Sequence, residues 1–321
     1  MAIKKLAVLT TGGDAPGMNA AIRALVRNAV FHRLEVVGVL RGFWGLINEE
    51  LKSLDHRSVS GIINQGGTIL KTARCPEFKT QEGQDRAYET LKKNGIDAMV
   101  VIGGNGSFTA AHEFGTKYKV PCMGIPASID NDINGIDMTI GVDTAINTAL
   151  NAIDNIRDTA TSMERIFVVE VMGRDSGYIA LSVALAAGCE DVIIPEIKFD
   201  LEKISDSIVE GNIRGKLSWI IVMAEGAGSA VEVASRITQI TDLETRAVVL
   251  GHVQRGGRPS AVSREMALRL GCAAVERLLK GEQDKAVAIQ CGDIYTVDLA
   301  HAIKKKELNV ALWHDLIRVL T

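Results

Sequence analysis

The segment Gly124-Ile-Pro-Ala-Ser128-Ile-Asp130-Asn-Asp132 places two carboxylates and a hydroxyl within five residues. It follows an apolar run with strand character and then breaks into a loop. One carboxylate in such a place can take a proton from an attacking hydroxyl, while its neighbour orients a metal or a positive group. An Asx-rich turn is the competing explanation, because Asp and Asn side chains bond readily to nearby backbone. The segment alone does not separate the two.

Its companions carry further chemistry. Thr10-Thr-Gly12-Gly13-Asp14-Ala-Pro16-Gly17-Met-Asn19 follows an apolar run, and paired glycines before a helix let backbone approach a phosphate. It matches neither G-x-G-x-x-G nor the Walker A pattern, and a strand–helix turn needing positive φ remains an equal reading. Gly103-Gly104-Asn105-Gly106-Ser107 follows Val100-Val101-Ile102. Its amides suit the phosphates of a nucleotide, or Ser107 caps the next helix. A carboxylate at 105 would be the natural magnesium ligand; Asn105 offers an amide oxygen without charge. Arg74, Arg165, Arg174, Arg246 and the cluster Gly251-His252-Val-Gln-Arg255-Gly256-Gly257 set cations near strand ends. Guanidinium forks suit phosphate, although an isolated surface arginine is usually just solvated. Glu225, in Met-Ala-Glu-Gly, is placed either to accept from a sugar hydroxyl or to serve as a loop carboxylate.

The elements that position these loops are legible as alternation. Short apolar runs at Leu6–Leu9, Met99–Ile102, Cys122–Ile125, Ile166–Val171, Ile193–Ile194, Ile220–Met223 and Ala247–Leu250 read as buried strands. Between them, Met18–Val30, Phe108–Phe114, Asp143–Thr159 and Tyr178–Ala187 read as helices, with Ala145, Ala149, Ile153 and Ile156 on one face of the third. Strand–helix alternation predicts α/β architecture with mainly parallel sheets covered on both faces. Ligands then bind beyond the carboxyl ends of the strands, where every motif above falls.

Composition narrows the class. The 321 residues suffice for two domains, 47% are apolar and 23% charged, and the net charge is −3. That balance gives no footprint for nucleic acid or an anionic membrane, and an aromatic content of 4% offers no base-stacking platform. Five cysteines without a C-x-x-C pair read as reduced thiols in a cytoplasmic protein, not a disulfide frame or zinc site. No stretch approaches a signal peptide or a membrane span. No dinucleotide fingerprint with a ribose-binding acid follows the first strand, which argues against a dehydrogenase.

Taken together, TTGGDAPGMNAAIR, TARCPEF, IGGNGS, PASIDND followed by TIG, VVEVMGR, AEG and ETRAVVLGHVQRGG make a specific set. Over essentially its whole length the chain resembles the bacterial-type ATP-dependent 6-phosphofructokinases. The resemblance implies two Rossmann-like α/β domains with the active site in the cleft between them. A nucleotide-binding domain at 1–138 would be joined by part of the segment 258–304, and a sugar-phosphate domain at 139–257 by a closing helix at 305–321. It implies transfer of the γ-phosphoryl of ATP to the 1-hydroxyl of fructose 6-phosphate, with Mg2+ accompanying ATP, in a cytoplasmic homotetramer whose sites are shared across subunits.

Residue by residue, Asp130 resembles the general base and Ser128, where Thr is usual, the hydroxyl that positions the phosphoryl. Asp132 would assist the metal, and Arg174 would neutralise charge on the γ-phosphoryl. Gly13, Arg74, Cys75, Gly104, Asn105, Gly106 and Ser107 match the ATP side. Ser128, Ile129, Asp130, Arg165, Met172, Gly173, Arg174, Glu225, Arg246, His252 and Arg255 match the substrate side, with Arg165 and Arg246 expected from a neighbouring subunit. Arg23, Arg27, Arg157, Gly188, Glu190, Arg214 and Lys216 match a site for an allosteric nucleotide or phosphoenolpyruvate. Arg23 and Arg27 also read as solvated charges at i, i+4 on one helix face.

Departures are equally specific. Asn105 replaces the expected metal-linked Asp, Ala127 a Gly, and Met163 a common His. At the effector site His56, Gly61, Leu217 and Ser218 replace Arg, Asp, Lys and His, which thins its charge and implies a weak or altered response. Pyrophosphate-using relatives carry a second Asp and a Lys where this chain has Gly106 and Ala127, so the donor side resembles the ATP-using group. Asn105 motivates a second reading, a low-activity or regulatory paralogue; a third is a phosphotransferase with another donor or sugar phosphate.

Overall fold

A computed structural model describes residues 3–320. Backbone contacts divide the chain into two units, each formed by two segments. The first comprises Met1–Asp143 and Arg255–Lys306; the second comprises Thr144–Gln254 and Glu307–Thr321.

In the first unit the elements are β1 (Lys5–Thr10), α1 (Met18–Phe31), β2 (Glu35–Val39), α2 (Phe43–Ile47), β3 (Leu51–Leu54), α3 (Gln81–Lys93), β4 (Ala98–Gly103), α4 (Asn105–Tyr118), β5 (Cys122–Ser128) and β6 (Ile140–Gly141). Helix α5 (Val142–Met163) then leads into the second unit, with β7 (Ile166–Val171), α6 (Tyr178–Ala187), β8 (Asp191–Ile193), α7 (Leu201–Ile213), β9 (Trp219–Ala224), α8 (Ala230–Thr241) and β10 (Thr245–Val249). The chain returns to the first unit with α9 (Ala261–Leu279), β11 (Lys285–Gln290), β12 (Asp293–Asp298) and α10 (Leu299–Ala302), and ends in the second with α11 (Val310–Leu320).

The larger sheet runs β12-β11-β5-β4-β1-β2-β3, with β6 paired to β5. Only β3 and β12, its edges, are antiparallel to their neighbours. β4 and β5 are buried at every position and β1 at all but its first, as a sheet covered on both faces requires. Their register, Thr10↔Ile102 and Gly103↔Pro126, brings the carboxyl ends of β1, β4 and β5 side by side. Phe43 stacks on Phe78 at 4.1 Å, and Phe78 meets Phe114 at 5.3 Å, in the core on one face. On α9, Gly271 lies so close to α1 that a β-carbon would stand 2.7 Å from the Ala21 carbonyl.

The smaller sheet, β10-β7-β9-β8, is wholly parallel. Its core sets Ile166, Val168, Ile221 and Met223 of the strands against Ile204, Ile208 and Ile237 of the helices. The fold is thus α/β with mainly parallel sheets, as the alternation predicts.

Several boundaries differ from the sequence-based expectation. Strand β5 continues through Pro126 to Ser128, so Ser128 ends a strand rather than opening a loop. Helix α4 begins at Asn105, so Asn105, Gly106 and Ser107 form its first turn instead of a loop before a helix at Phe108. Hydrophobic periodicity starts only at Phe108, which hid that turn. Strands β2, β3, β11 and β12 were not anticipated: β2 is interrupted by Gly38, β3 and β12 are half-exposed edges, and β11 begins and ends in polar residues.

Candidate active site

The first cluster lies where β1, β4 and β5 end. Thr11 N–H donates to the Ile102 carbonyl at 3.1 Å. The Ser107 hydroxyl donates to the Thr11 carbonyl at 3.0 Å. Ser107 is therefore not the cap of α4; Gly104 holds that position, and no side chain caps the helix. The same holds for α1, which starts from Gly17. Helices α3, α7 and α9, in contrast, are capped by Thr80, Asp200 and Ser260. No side chain therefore takes the first-turn N–H groups of the helices after the two glycine loops, although Met18 N–H donates to the Ala15 carbonyl at 3.2 Å and Ser107 N–H to the Gly104 carbonyl at 3.0 Å; such a turn is open to an anion. Packing against backbone dictates Gly103, where a β-carbon would stand 2.6 Å from the Thr11 carbonyl oxygen. A β-carbon at Gly103 would stand 2.4 Å from the Ser107 hydroxyl, and one at Gly13 would stand 2.5 Å from the Arg255 guanidinium.

Beside this cluster, Ser128 and Asp130 are buried and Asp132 is half-buried. A β-carbon on Gly104 would touch Ser128 at 3.5 Å, so the end of β5 faces the first turn of α4. Asp130 N–H donates to the Ser128 hydroxyl at 3.2 Å, and that hydroxyl donates to Asp132 at 3.4 Å. Thr139 secures the turn: its hydroxyl donates to the Ser128 carbonyl at 2.5 Å and its N–H to the Asn131 side chain at 3.0 Å. The Asn131 amide donates to the Asp137 carbonyl at 3.0 Å, and Asn131 adopts φ 51°. The Asx turn of the sequence reading is present: Asn131 makes it, and it fixes the backbone at Asp130. Ile129 is fully buried.

The second cluster is the loop after β7. Met172 and Gly173 are buried and Arg174 is exposed. Gly173 has φ 145° and Arg174 φ 52°. Glu225 accepts from the N–H groups of Gly173 at 3.4 Å and Arg174 at 2.9 Å. Gln254, fully buried, accepts from Met172 N–H at 2.8 Å. Arg165 donates to Glu244 at 3.0 Å, and Arg246 pairs with the same carboxylate. These hydrogen bonds, Arg246 first, hold the Glu244 carboxyl below its usual value. His252 is exposed on the helical turn Gly251–Arg255. Arg255 lies against Gly13 and donates to the Asp14 carbonyl at 3.4 Å, which places it on the first glycine loop.

Of the remaining expected residues, Arg74 is exposed and Cys75 half-buried, its thiol pushed up mainly by burial. Arg23 and Arg27 are half-buried on α1, and burial followed by the Arg27 charge lowers the Arg23 value. In the second unit Arg157 donates to the Ala187 carbonyl at 2.6 Å and the Gly188 carbonyl at 3.3 Å. Glu190 pairs with Lys216 at 3.1 Å and accepts from Ile220 N–H at 2.7 Å. Arg214 pairs with Glu210 at 3.0 Å on the surface. Sequence reasoning missed Thr139 and Gln254. Both are neutral and bond backbone from buried positions, so neither charge nor spacing marked them.

Among the described residues no group of three or more His, Cys, Asp or Glu side chains is arranged to hold a metal. Mg2+ does not need such a cage, since it is commonly held by one or two carboxylates together with substrate phosphates and water. Asp132, bonded to the Ser128 hydroxyl, and Asn105, which opens α4 next to the Gly104 that faces Ser128, carry a carboxylate and an amide oxygen of the kind such an ion takes. The residues present therefore fit a magnesium ion carried in by a nucleotide, with one fewer charge than a pair of carboxylates would give.

Comparison with known proteins finds relatives over nearly the whole chain. The family model described as phosphofructokinase matches residues 5–278. The ATP-dependent 6-phosphofructokinase of Thermotoga petrophila is 52% identical over 305 residues, covering 95% of this chain and 96% of the relative. That of Bacillus subtilis is 52% identical over 304 residues, 95% of each chain. Among solved structures, Saccharomyces cerevisiae phosphofructokinase superposes with a TM-score of 0.87 at 36% identity, covering 94% of this chain; the present chain spans only 45% of that longer one. The pyrophosphate-dependent phosphofructokinase of Nitrosospira multiformis, 20% identical, shares the fold with a TM-score of 0.89 over 99% of this chain and 91% of its own.

Proposed function

The chain belongs to the phosphofructokinase family, and from that premise we propose that it transfers the γ-phosphoryl of ATP to the 1-hydroxyl of fructose 6-phosphate, giving fructose 1,6-bisphosphate and ADP. The observation that carries the reading is Asp130: a buried carboxylate fixed by the Asn131 turn at the end of β5, where Ser128 faces the N-terminus of α4.

In this reading Asp130 takes the proton of the 1-hydroxyl as it attacks. Phosphoryl transfer passes through a loose transition state, so positioning and charge matter more than covalent help. Ser128 orients the transferred group. The amides around Gly13 and at Gly104–Ser107 cradle the nucleotide phosphates, with Arg74 and Cys75 on the nucleotide side. Arg174 balances the charge that grows on the γ-phosphoryl. Met172, Gly173, Glu225, His252, Arg255 and, from a neighbouring subunit, Arg165 and Arg246 hold the sugar phosphate. Asp132 and Asn105 would hold Mg2+, which when bound supplies charge neutralisation on the phosphates.

The same reading makes the enzyme a cytoplasmic homotetramer. Among the described residues no helix is long and apolar enough to cross a membrane. Strand β10 is a sheet edge bearing Arg246 and an exposed Val249, which suits a subunit contact. Arg23, Arg27, Arg157, Gly188, Glu190, Arg214 and Lys216 would form the effector site for a nucleotide or phosphoenolpyruvate.

Asp130→Asn tests the base. It is expected to lower kcat by about 10²–10⁴-fold while leaving the KM for fructose 6-phosphate nearly unchanged. A native kcat in that variant would remove Asp130 from the role.

A further inference from the structure

The loop after β7 is fixed by Glu225, a residue given above to the sugar phosphate, and by Gln254, to which the proposed reaction gives no chemistry. Its three successive N–H groups at Met172, Gly173 and Arg174 all donate to side chains, the first to Gln254 and the other two to Glu225. Arg174 is held at φ 52°, a left-handed conformation that a β-carbon disfavours and that persists only where the surroundings over-determine it. Gly226 adds a steric wall, since its backbone passes under the Arg174 carbonyl with no room for a β-carbon.

Gln254 is the buried member of this scaffold. Its side-chain oxygen accepts from Met172 N–H at 2.8 Å, and its amide nitrogen donates to the Ala145 carbonyl in the first turn of α5 at 3.4 Å. Both ends are used, so a fully buried polar group is satisfied. A glutamate would bring an unneutralised charge and lose the donor; an apolar residue would leave Met172 N–H buried without a partner.

We propose that Gln254 is a positioning residue for Arg174: by anchoring Met172 to α5 and to the turn that carries His252, it sets where the guanidinium meets the transferred phosphoryl. This rests on the role given above to Arg174.

The test is a double-mutant cycle on the full-length enzyme, read as kcat with saturating ATP and fructose 6-phosphate. Arg174→Ala is expected to lower kcat by about 10²–10³-fold. Gln254→Met is expected to lower it by about 10–100-fold, the scale of a misplaced catalytic group. In the Arg174→Ala background, Gln254→Met should cost less than about 3-fold more, because a residue acting through Arg174 has little left to disturb. Loss of general packing would not produce that non-additivity. Fully multiplicative losses would overturn the positioning role and leave that of Arg174 standing. A native kcat in Arg174→Ala would sink the reading beneath it, and the proposal with it. Should Gln254→Met fail to fold, Gln254→Asn, which withdraws the same amide by one methylene, goes through the same cycle with the same outcomes.

Discussion

At the scale of single residues, Asn105 and Glu244 bear most directly on how well the site works. Asn105 stands in the first turn of α4 with an amide where a carboxylate would hold a hard cation better. Asn105→Asp is therefore expected to tighten Mn2+ binding to the nucleotide complex by about 3–30-fold, measured by electron paramagnetic resonance, and to raise kcat. No change in either would mean that Asp132 already serves, and would retire the idea of a weakened paralogue. Glu244 engages both Arg165 and Arg246, the two arginines expected to meet a sugar phosphate. Its depressed carboxyl value means that the pairing stabilises above the usual 4.5 and is lost as pH falls through the lower folded value. At neutral pH the carboxylate thus engages both arginines, and a sugar phosphate held there, as proposed, would compete with it. Glu244→Gln is expected to lower the KM for fructose 6-phosphate by about 3–10-fold; a higher KM would show that Glu244 aims the arginines instead of occupying them.

At the scale of elements, the central strands and the helices that follow them were legible because buried parallel strands read as continuous apolar runs. The Asp130 turn and both glycine loops were legible because their residue types are unusual at strand ends. Edge strands β3 and β12 were not, since half-exposed polar strands look like loops. The first turn of α4 was hidden because its residues, Asn105, Gly106 and Ser107, are glycine and polar and carry no apolar period. Arg255 was read as a substrate residue from its motif, yet it packs on Gly13, a neighbour 242 residues away in sequence that no local pattern reveals. The loop after β7 yields a prediction of its own. A β-carbon at Gly226 would stand 1.9 Å from the Arg174 carbonyl oxygen, and that neighbour is backbone. Gly226→Ala is expected to lower kcat by about 10–100-fold in steady-state assays, with the KM for ATP retained. A native kcat would mean that the loop shifts without moving Arg174.

At the scale of the whole molecule, two α/β units of different size each bring loops to the carboxyl ends of parallel strands. The larger supplies Asp130 and the uncapped helix termini, the smaller Arg174 and its scaffold. The fold itself is shared with a pyrophosphate-dependent enzyme. The fold therefore does not decide the donor; we propose that residues do, with Gly106 and Ala127 standing where the resemblance puts an Asp and a Lys in pyrophosphate-using relatives. The most direct measurement is steady-state formation of fructose 1,6-bisphosphate by the purified chain, with ATP and Mg2+ in one arm and pyrophosphate and Mg2+ in the other. Turnover with ATP and none with pyrophosphate is the expected result; turnover with pyrophosphate alone, or with neither donor, would contradict the account.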